Sequence, residues 1–432
     1  MKKHTGYWVK RARLKRDIMQ KDLAGDIFTP SYINHIEKGD VKLSLNAREY
    51  ITRKLKLPKS YFDNGLFKEE KEELDRLAKE AEELIKIQFF KKAEDSVLKA
   101  LSISKEAKND DYTNNLLIKL SRIYIKKKKL NKAEDLLNNV NKYYSEEKDY
   151  KNLSSSYYWT GVLYMKRQNY TDAVYMYNSA IEINSKLKRK KDLSLQARAT
   201  SKIAQVYRET QNYRGAKQKY EEAIKLALKS KDDYILGMVY WGYGLLLRRL
   251  YDYEKAKEYY EKSLLIHERL KDEKSLLKLN NNLANACYYT NDYERTIKLT
   301  DKTIKISEEK NYNEQLAYAL LFRAKAKRET NLLNEAESDI KRSIKLLKEI
   351  GDKRELATAY MTKGLIYEKK KEYDEAILSF NKAINIFKEL EEPIFINSAY
   401  GQLIRFYEDI GDLDKEREST KRWIKLTKRI KF

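Results

Sequence analysis

A unit of forty residues recurs through this chain from about residue 67 to its end, and no other feature restricts the fold as much. Eight of nine copies can be phased on a small residue in the first half of each: Ala81, Ser121, Gly161, Ala204, Gly244, Ala284, Ala324 and Gly364. Twelve residues later comes a second mark: Ala93, Ala133, Ala173, Ala216, Ala256, Thr296, Ala336 and Ala376. The step is 40 throughout except between residues 173 and 216, where it is 43. A ninth copy keeps the phase at Ile404 and Glu416 without either small residue. One unit of this length cannot bury its own apolar face, so copies must stack into a solenoid.

Each unit reads as two amphipathic helices. Leu153, Tyr157, Gly161 and Tyr164 share one face of the first; Ala173, Tyr177 and Ala180 share one face of the second. The turn between them carries Asn169-Tyr170, Asn212-Tyr213, Asp252-Tyr253, Asp292-Tyr293 or Glu372-Tyr373, and the ring is expected to plug the gap between the two helices. A third small position follows at Ala100, Ala180, Ala223, Ser263, Ser343 and Ala383. The series Gly161, Tyr164, Ala173, Tyr177, Ala180, with its counterpart Gly364, Tyr367, Ala376, Phe380, Ala383, resembles the tetratricopeptide repeat, lengthened by about six residues over the usual ~34. The expected fold class is all-α, with a right-handed α-solenoid spanning 67–432. The sixth copy is degenerate, with Thr296, Thr300 and Thr303 at its second-helix marks.

Residues 1–66 stand outside the pattern. Residues 1–65 carry 15 Lys and Arg against 7 Asp and Glu, a net +8 of the chain's +24, almost three times the density of the remainder. A basic domain of this kind is the footprint of nucleic-acid binding. Short helices are expected over Tyr7–Arg16, Met19–Gly25, Pro30–Lys38, Leu45–Leu55 and Lys59–Phe62. Thr29-Pro30 makes a firm helix start and Gly39 a stop. The run Gln20-Lys21-Asp22-Leu23-Ala24, followed by Pro30-Ser31-Tyr32-Ile33-Asn34-His35-Ile36-Glu37-Lys38-Gly39, resembles the helix-turn-helix of the phage-repressor-like (XRE) family. Ile27-Phe28 stands where that family has a glycine, and the turn is about one residue short. Such a motif lays its second helix in the major groove of a double-stranded operator. Ser31, Tyr32, Asn34 and His35 are then the candidate base readers; Gln20, Lys21, Lys38 and Lys42 are suited to phosphates.

A repressor-like headpiece followed by nine such repeats resembles the RRNPP family, which includes the PlcR-, NprR- and Rgg-type regulators. The resemblance implies a cytoplasmic homodimer that binds a short signalling peptide in its concave groove and changes operator binding in response. An adaptor that binds a response regulator and inhibits or dephosphorylates it is the alternative. Residues three before, one after and four after the first mark are expected to line the groove: Tyr158, Gln205, Arg208, Trp241, Arg248, Asn281, Asn285, Lys325, Arg328, Met361 and Arg405. Asn281 and Asn285, one turn apart, suit a peptide backbone because an amide both donates and accepts. The cations suit a carboxylate, and the rings with Met361 suit apolar side chains.

Catalysis finds no support. His4, His35 and His267 share no motif with cysteine or carboxylate at metal-ligand spacing, and no phosphate loop appears, so no metal or cofactor is expected. Cys287 stands alone at an apolar helix position and reads as core. The basic run Lys186–Lys191 reads as a solvated loop. The N-terminus lacks the apolar run of a signal peptide, and no stretch approaches the ~18 apolar residues of a membrane span.

Overall fold

The computed structural model of the protein describes residues 4–187 and 191–427; residues 188–190 of the basic run Lys186–Lys191 lie outside that range. The described residues form 23 α-helices and no β-strand. None of these helices is long and apolar enough to cross a membrane. The chain divides into two compact units, Met1–Val206 and Tyr207–Phe432.

The first unit begins with five short helices: α1 (Thr5–Lys15), α2 (Gln20–Ala24), α3 (Pro30–Lys38), α4 (Leu45–Lys54) and α5 (Tyr61–Asn64). Trp8, Val9, Leu23, Ile33, Ile36, Ala47, Ile51, Leu55 and Tyr61 form their core. Thr29 caps α3 by accepting the Tyr32 N–H, and Gly39 ends it in the left-handed region. From α6 (Lys68–Lys86) and α7 (Phe90–Glu106) onward the helices lengthen to 15–19 residues.

This headpiece is clamped to the first repeats. The Trp8 indole donates to the Ala107 carbonyl at 2.7 Å and the Tyr7 hydroxyl to that of Glu106 at 2.8 Å. The buried Arg11 donates to the Gly65 carbonyl and to both Glu70 and Glu106. Gly65 sits at φ +71°, and a Cβ there would stand 2.3 Å from the Trp8 Nε1. Burial pushes the Glu70 carboxyl up, but its bonds to Arg11, Lys15 and the Phe67 N–H prevail and hold it below the ordinary range.

The repeat helices are joined by one device. A residue with positive φ ends each turn at a spacing of twenty: Gln88, Lys108, Lys128, Lys148 and Gln168, then Gln211, Lys231, Tyr251 and onward to Lys371, Glu391 and Gly411. The next residue is commonly an Asn or Asp that caps the following helix, as Asn169, Asn212, Asp252 and Asp292 do. The helices on either side of a turn are thus nearly equal in length, which is why the repeat is forty residues long. The aromatic residue after the cap meets its own helix pair only in part: Tyr293 packs on Tyr288 of the same copy at 5.8 Å, whereas Tyr253 stacks on Tyr289 of the next copy at 4.5 Å and the Tyr213 hydroxyl accepts from Arg249 there. The gap is filled from the second helix by Tyr177, Tyr220, Tyr260 and Phe380, all fully buried. Ser263 and Ser343, at the third small position, donate to the carbonyls of Gly237 and Ala317. Cys287 is buried, which pushes its thiol up to about 11 and keeps it protonated.

Candidate functional site

The outer face of α3 is built by what lies beneath it. Ile33 and Ile36 point into the core, and the buried Glu37 accepts from Arg13 at 2.6 Å and from the Gln20 amide at 2.8 Å. That leaves Ser31, His35 and Lys38 exposed, with Tyr32 and Asn34 half-buried beside them. Tyr32 stacks on Phe28 at 5.1 Å, so the unexpected aromatic in the turn steadies a candidate reader. The Gln20 amide is engaged by Glu37 and lies 3.4 Å from the Asn34 Oδ1. His35 pairs with Asp40 at 3.1 Å; Lys21 and Lys42 are exposed. A shallow cleft of about 400 Å³ runs along this edge, lined by Lys10, Arg13, Gln20, Asn34 and Lys38 among others.

Two of the expected groove residues belong to the first unit. Tyr158 is buried against Trp159 and Tyr177, with the Arg198 guanidinium 5.4 Å from its ring centre. Gln205 is half-buried and accepts from Lys202 at 2.9 Å.

The others lie in the second unit, on α12 (Leu193–Glu209), α14 (Asp233–Arg249), α16 (Glu273–Tyr289), α18 (Asn313–Glu329), α20 (Lys353–Lys370) and α22 (Pro393–Asp409). Asn281 and Asn285 are buried rather than open, at 4% and 6% exposure. The Asn281 amide donates to the Gln315 carbonyl at 3.0 Å, while its Oδ1 is buried with no partner among the described residues. Lys325 is buried with its ammonium 5.5 Å from the Phe322 ring centre and 5.9 Å from that of Tyr288. Arg328 is buried and donates to the Tyr288 hydroxyl at 2.8 Å and to Glu329. Arg208 pairs with Glu209 at 2.7 Å. The half-buried Arg248 makes no hydrogen bond or ion pair among the described residues, and the Trp241 indole N–H is buried without an acceptor. Met361 packs against the core of the last repeats, and Arg405 is exposed.

Four residues join this face that the sequence reading passed over. Tyr288 and Glu368 stand four after the first mark, so the spacing points to them; the selection left out carboxylates, and it passed over Tyr288 although it took the rings of Tyr158 and Trp241. Gln315 and Glu355 stand nine before it, a position with no sequence signal. Burial pushes Tyr288 up to about 12 despite the neighbouring Arg328. Burial raises the carboxyls of Glu355 and Glu368 above the ordinary range as well.

Residues 155–186, 236–309 and 357–389 match tetratricopeptide-repeat family models. No curated protein sequence matches the chain. Among solved structures the fold is similar to the apo form of RapI, at 18% identity and a TM-score of 0.61, covering 83% of this chain and 98% of that one. It is similar to the apo quorum sensor NprR from B. thuringiensis, at 17% and 0.59, with coverage of 83% and 98%. A Rap protein complexed with Competence and Sporulation Factor matches at 17% and 0.54, again covering 83% and 98%. At these identities the likeness is one of fold, an array of tetratricopeptide-type helix pairs.

Proposed function

We propose that this protein is a cytoplasmic, DNA-binding transcriptional regulator whose repeats take a short signalling peptide that alters operator binding. Residues 1–66 act as the DNA-reading domain and 67–432 as the sensing array. The observation that carries the reading is the division of α3: Ile33, Ile36 and Glu37 are spent on the core, and Ser31, Asn34, His35 and Lys38 face outward beside further cations. That is the division a major-groove helix needs. In a homodimer two such helices would meet half-sites about one turn of DNA, ~34 Å, apart. The peptide half of the reading is supported by two buried polar atoms without partners among the described residues of the second unit, Asn281 Oδ1 and Trp241 Nε1, and by Arg248, which makes no hydrogen bond or ion pair there.

Replacing Asn34 and His35 together by alanine is expected to weaken specific operator binding and leave the helical content unchanged. Operator fragments recovered by genomic footprinting supply the probe for a gel-shift titration, and unchanged affinity there overturns the assignment of α3. The likeness to RapI favours a second reading, an adaptor that binds a response regulator. A chain that footprints nowhere on the genome but retains a response regulator supports the adaptor instead.

A further inference from the structure

A relay of hydrogen bonds runs beneath the outer face of α3 and ends on Asn34. Arg13 begins it: its guanidinium donates to both Glu37 oxygens, at 2.6 and 3.0 Å, and to the Ile18 carbonyl at 2.9 Å. A guanidinium only donates and the carboxylate it grips only accepts, so this end cannot reverse. The buried Glu37 then fixes Gln20, whose Nε2 donates to Glu37 Oε2 at 2.8 Å. With Gln20 Oε1 there instead, two acceptors would face each other. The second N–H of the same nitrogen meets Asn34 Oδ1 at 3.4 Å. That contact is long, but it decides which way the Asn34 amide lies, because the turned amide would set donor against donor.

The half-buried Asn34 thus has its oxygen committed inward. Its Nδ2 makes no hydrogen bond among the described residues. That nitrogen is what the amide has left for the cleft of about 400 Å³ beside it, whose rim carries the exposed Lys10 and Lys38. An uncommitted asparagine suits adenine, accepting from N6 and donating to N7. One with only its N–H groups to offer is matched by guanine, whose N7 and O6 both accept.

We infer that Gln20 is a positioning residue of the DNA-reading face, which holds Asn34 with its N–H groups outward and so makes it a reader of guanine and not of adenine. This rests on the DNA-binding reading above and narrows it to one class of base edge. The Gln20 side chain, with both N–H groups turned inward, has no donor left for a phosphate, and that contact falls to Lys10 and Lys38.

Genomic footprinting of the full-length wild type recovers its operator, and a gel-shift panel carrying every single base-pair substitution of that operator reads its preferences. At one base pair of each half-site, guanine is expected to be bound about ten-fold or more tighter than adenine. Asn34→Asp has nearly the same shape and still accepts from Gln20. It should move the preference at that base pair to cytosine, whose N4 donates. Gln20→Leu frees the Asn34 amide to turn, so guanine and adenine should come within about two-fold of each other there. Gln20→Lys keeps a donor toward Glu37 and Asn34 and should preserve the guanine preference. Preference, unlike affinity, is not moved by a general loss of stability, and the wild-type and Asn34→Asp arms stand whatever Gln20→Leu does to folding. Three results each overturn the inference and leave DNA binding intact: a wild type that prefers adenine where Asn34→Asp acts, an Asn34→Asp protein with wild-type preferences throughout, or a Gln20→Leu protein that keeps the guanine preference. A wild type that footprints nowhere overturns the DNA-binding reading, and the inference with it.

Discussion

Three of the small first marks are glycines, and each faces a buried ring. A Cβ at Gly161, Gly244 or Gly364 would stand 2.7, 2.6 or 2.4 Å from ring carbons of Tyr177, Tyr260 or Phe380. Where the mark is Ala81, Ser121, Ala284 or Ala324, the residue at the ring's register is Val97, Leu137, Thr300 or Ile340. Ala204 is the exception, standing at the register of the buried Tyr220, whose ring lies against Gly242; elsewhere size is conserved as a sum across the helix pair. Gly364→Ala is therefore expected to cost on the order of 1–3 kcal/mol by overpacking, and Phe380→Leu in the same chain to recover part of it. Thermal melts of the two single variants and the double check this; an additive double variant refutes the pairing. The marks were legible in the sequence because they recur, but the compensation between them needed the packing. The same holds at Asn281. Its amide type pointed to a ligand, yet its N–H is already committed to Gln315 and only the carbonyl oxygen is left to accept. Asn281→Ala should weaken binding of a peptide selected on the wild-type protein by about 1–3 kcal/mol, measured by calorimetry.

Among the elements, the turns are where local chemistry and fold disagree. Lys108, Lys128, Lys148, Lys231, Lys271 and Lys371 all take positive φ, which glycine adopts far more readily. A side chain there costs about 1–2 kcal/mol, offset in part by the ~0.5–1 kcal/mol of extra chain entropy a glycine loses. Lys128→Gly is expected to raise the melting temperature slightly, whereas Lys142→Gly, inside the helix Leu130–Glu146, should lower it. The helices could be read from apolar spacing, and the Asn and Asp caps from composition; the lysines gave no hint of their backbone. The headpiece clamp was equally silent, because Arg11, Gly65 and Glu70 lie on separate segments that meet only when folded. Glu70 titrates lower in the folded chain than in the unfolded one. Its contribution is present above the unfolded value and is lost as pH falls through the folded one. The protection factor of the α1 amides, corrected for the intrinsic pH dependence of exchange, should fall in acid, and Glu70→Gln should remove that fall.

At the scale of the molecule, a chain of two compact units made of stacked pairs is not expected to unfold in one step. Calorimetric enthalpy should exceed the van't Hoff value, and equality of the two would show a single cooperative block. The shared twenty-residue spacing of the turns has a further bearing on how such a chain changes over time. Gaining or losing one helix would exchange first helices for second ones and bury the face that carries Arg248 and Glu368. Gaining or losing two restores it. The binding face can therefore be lengthened or shortened only in whole helix pairs, so the ligands open to its descendants differ by a fixed increment.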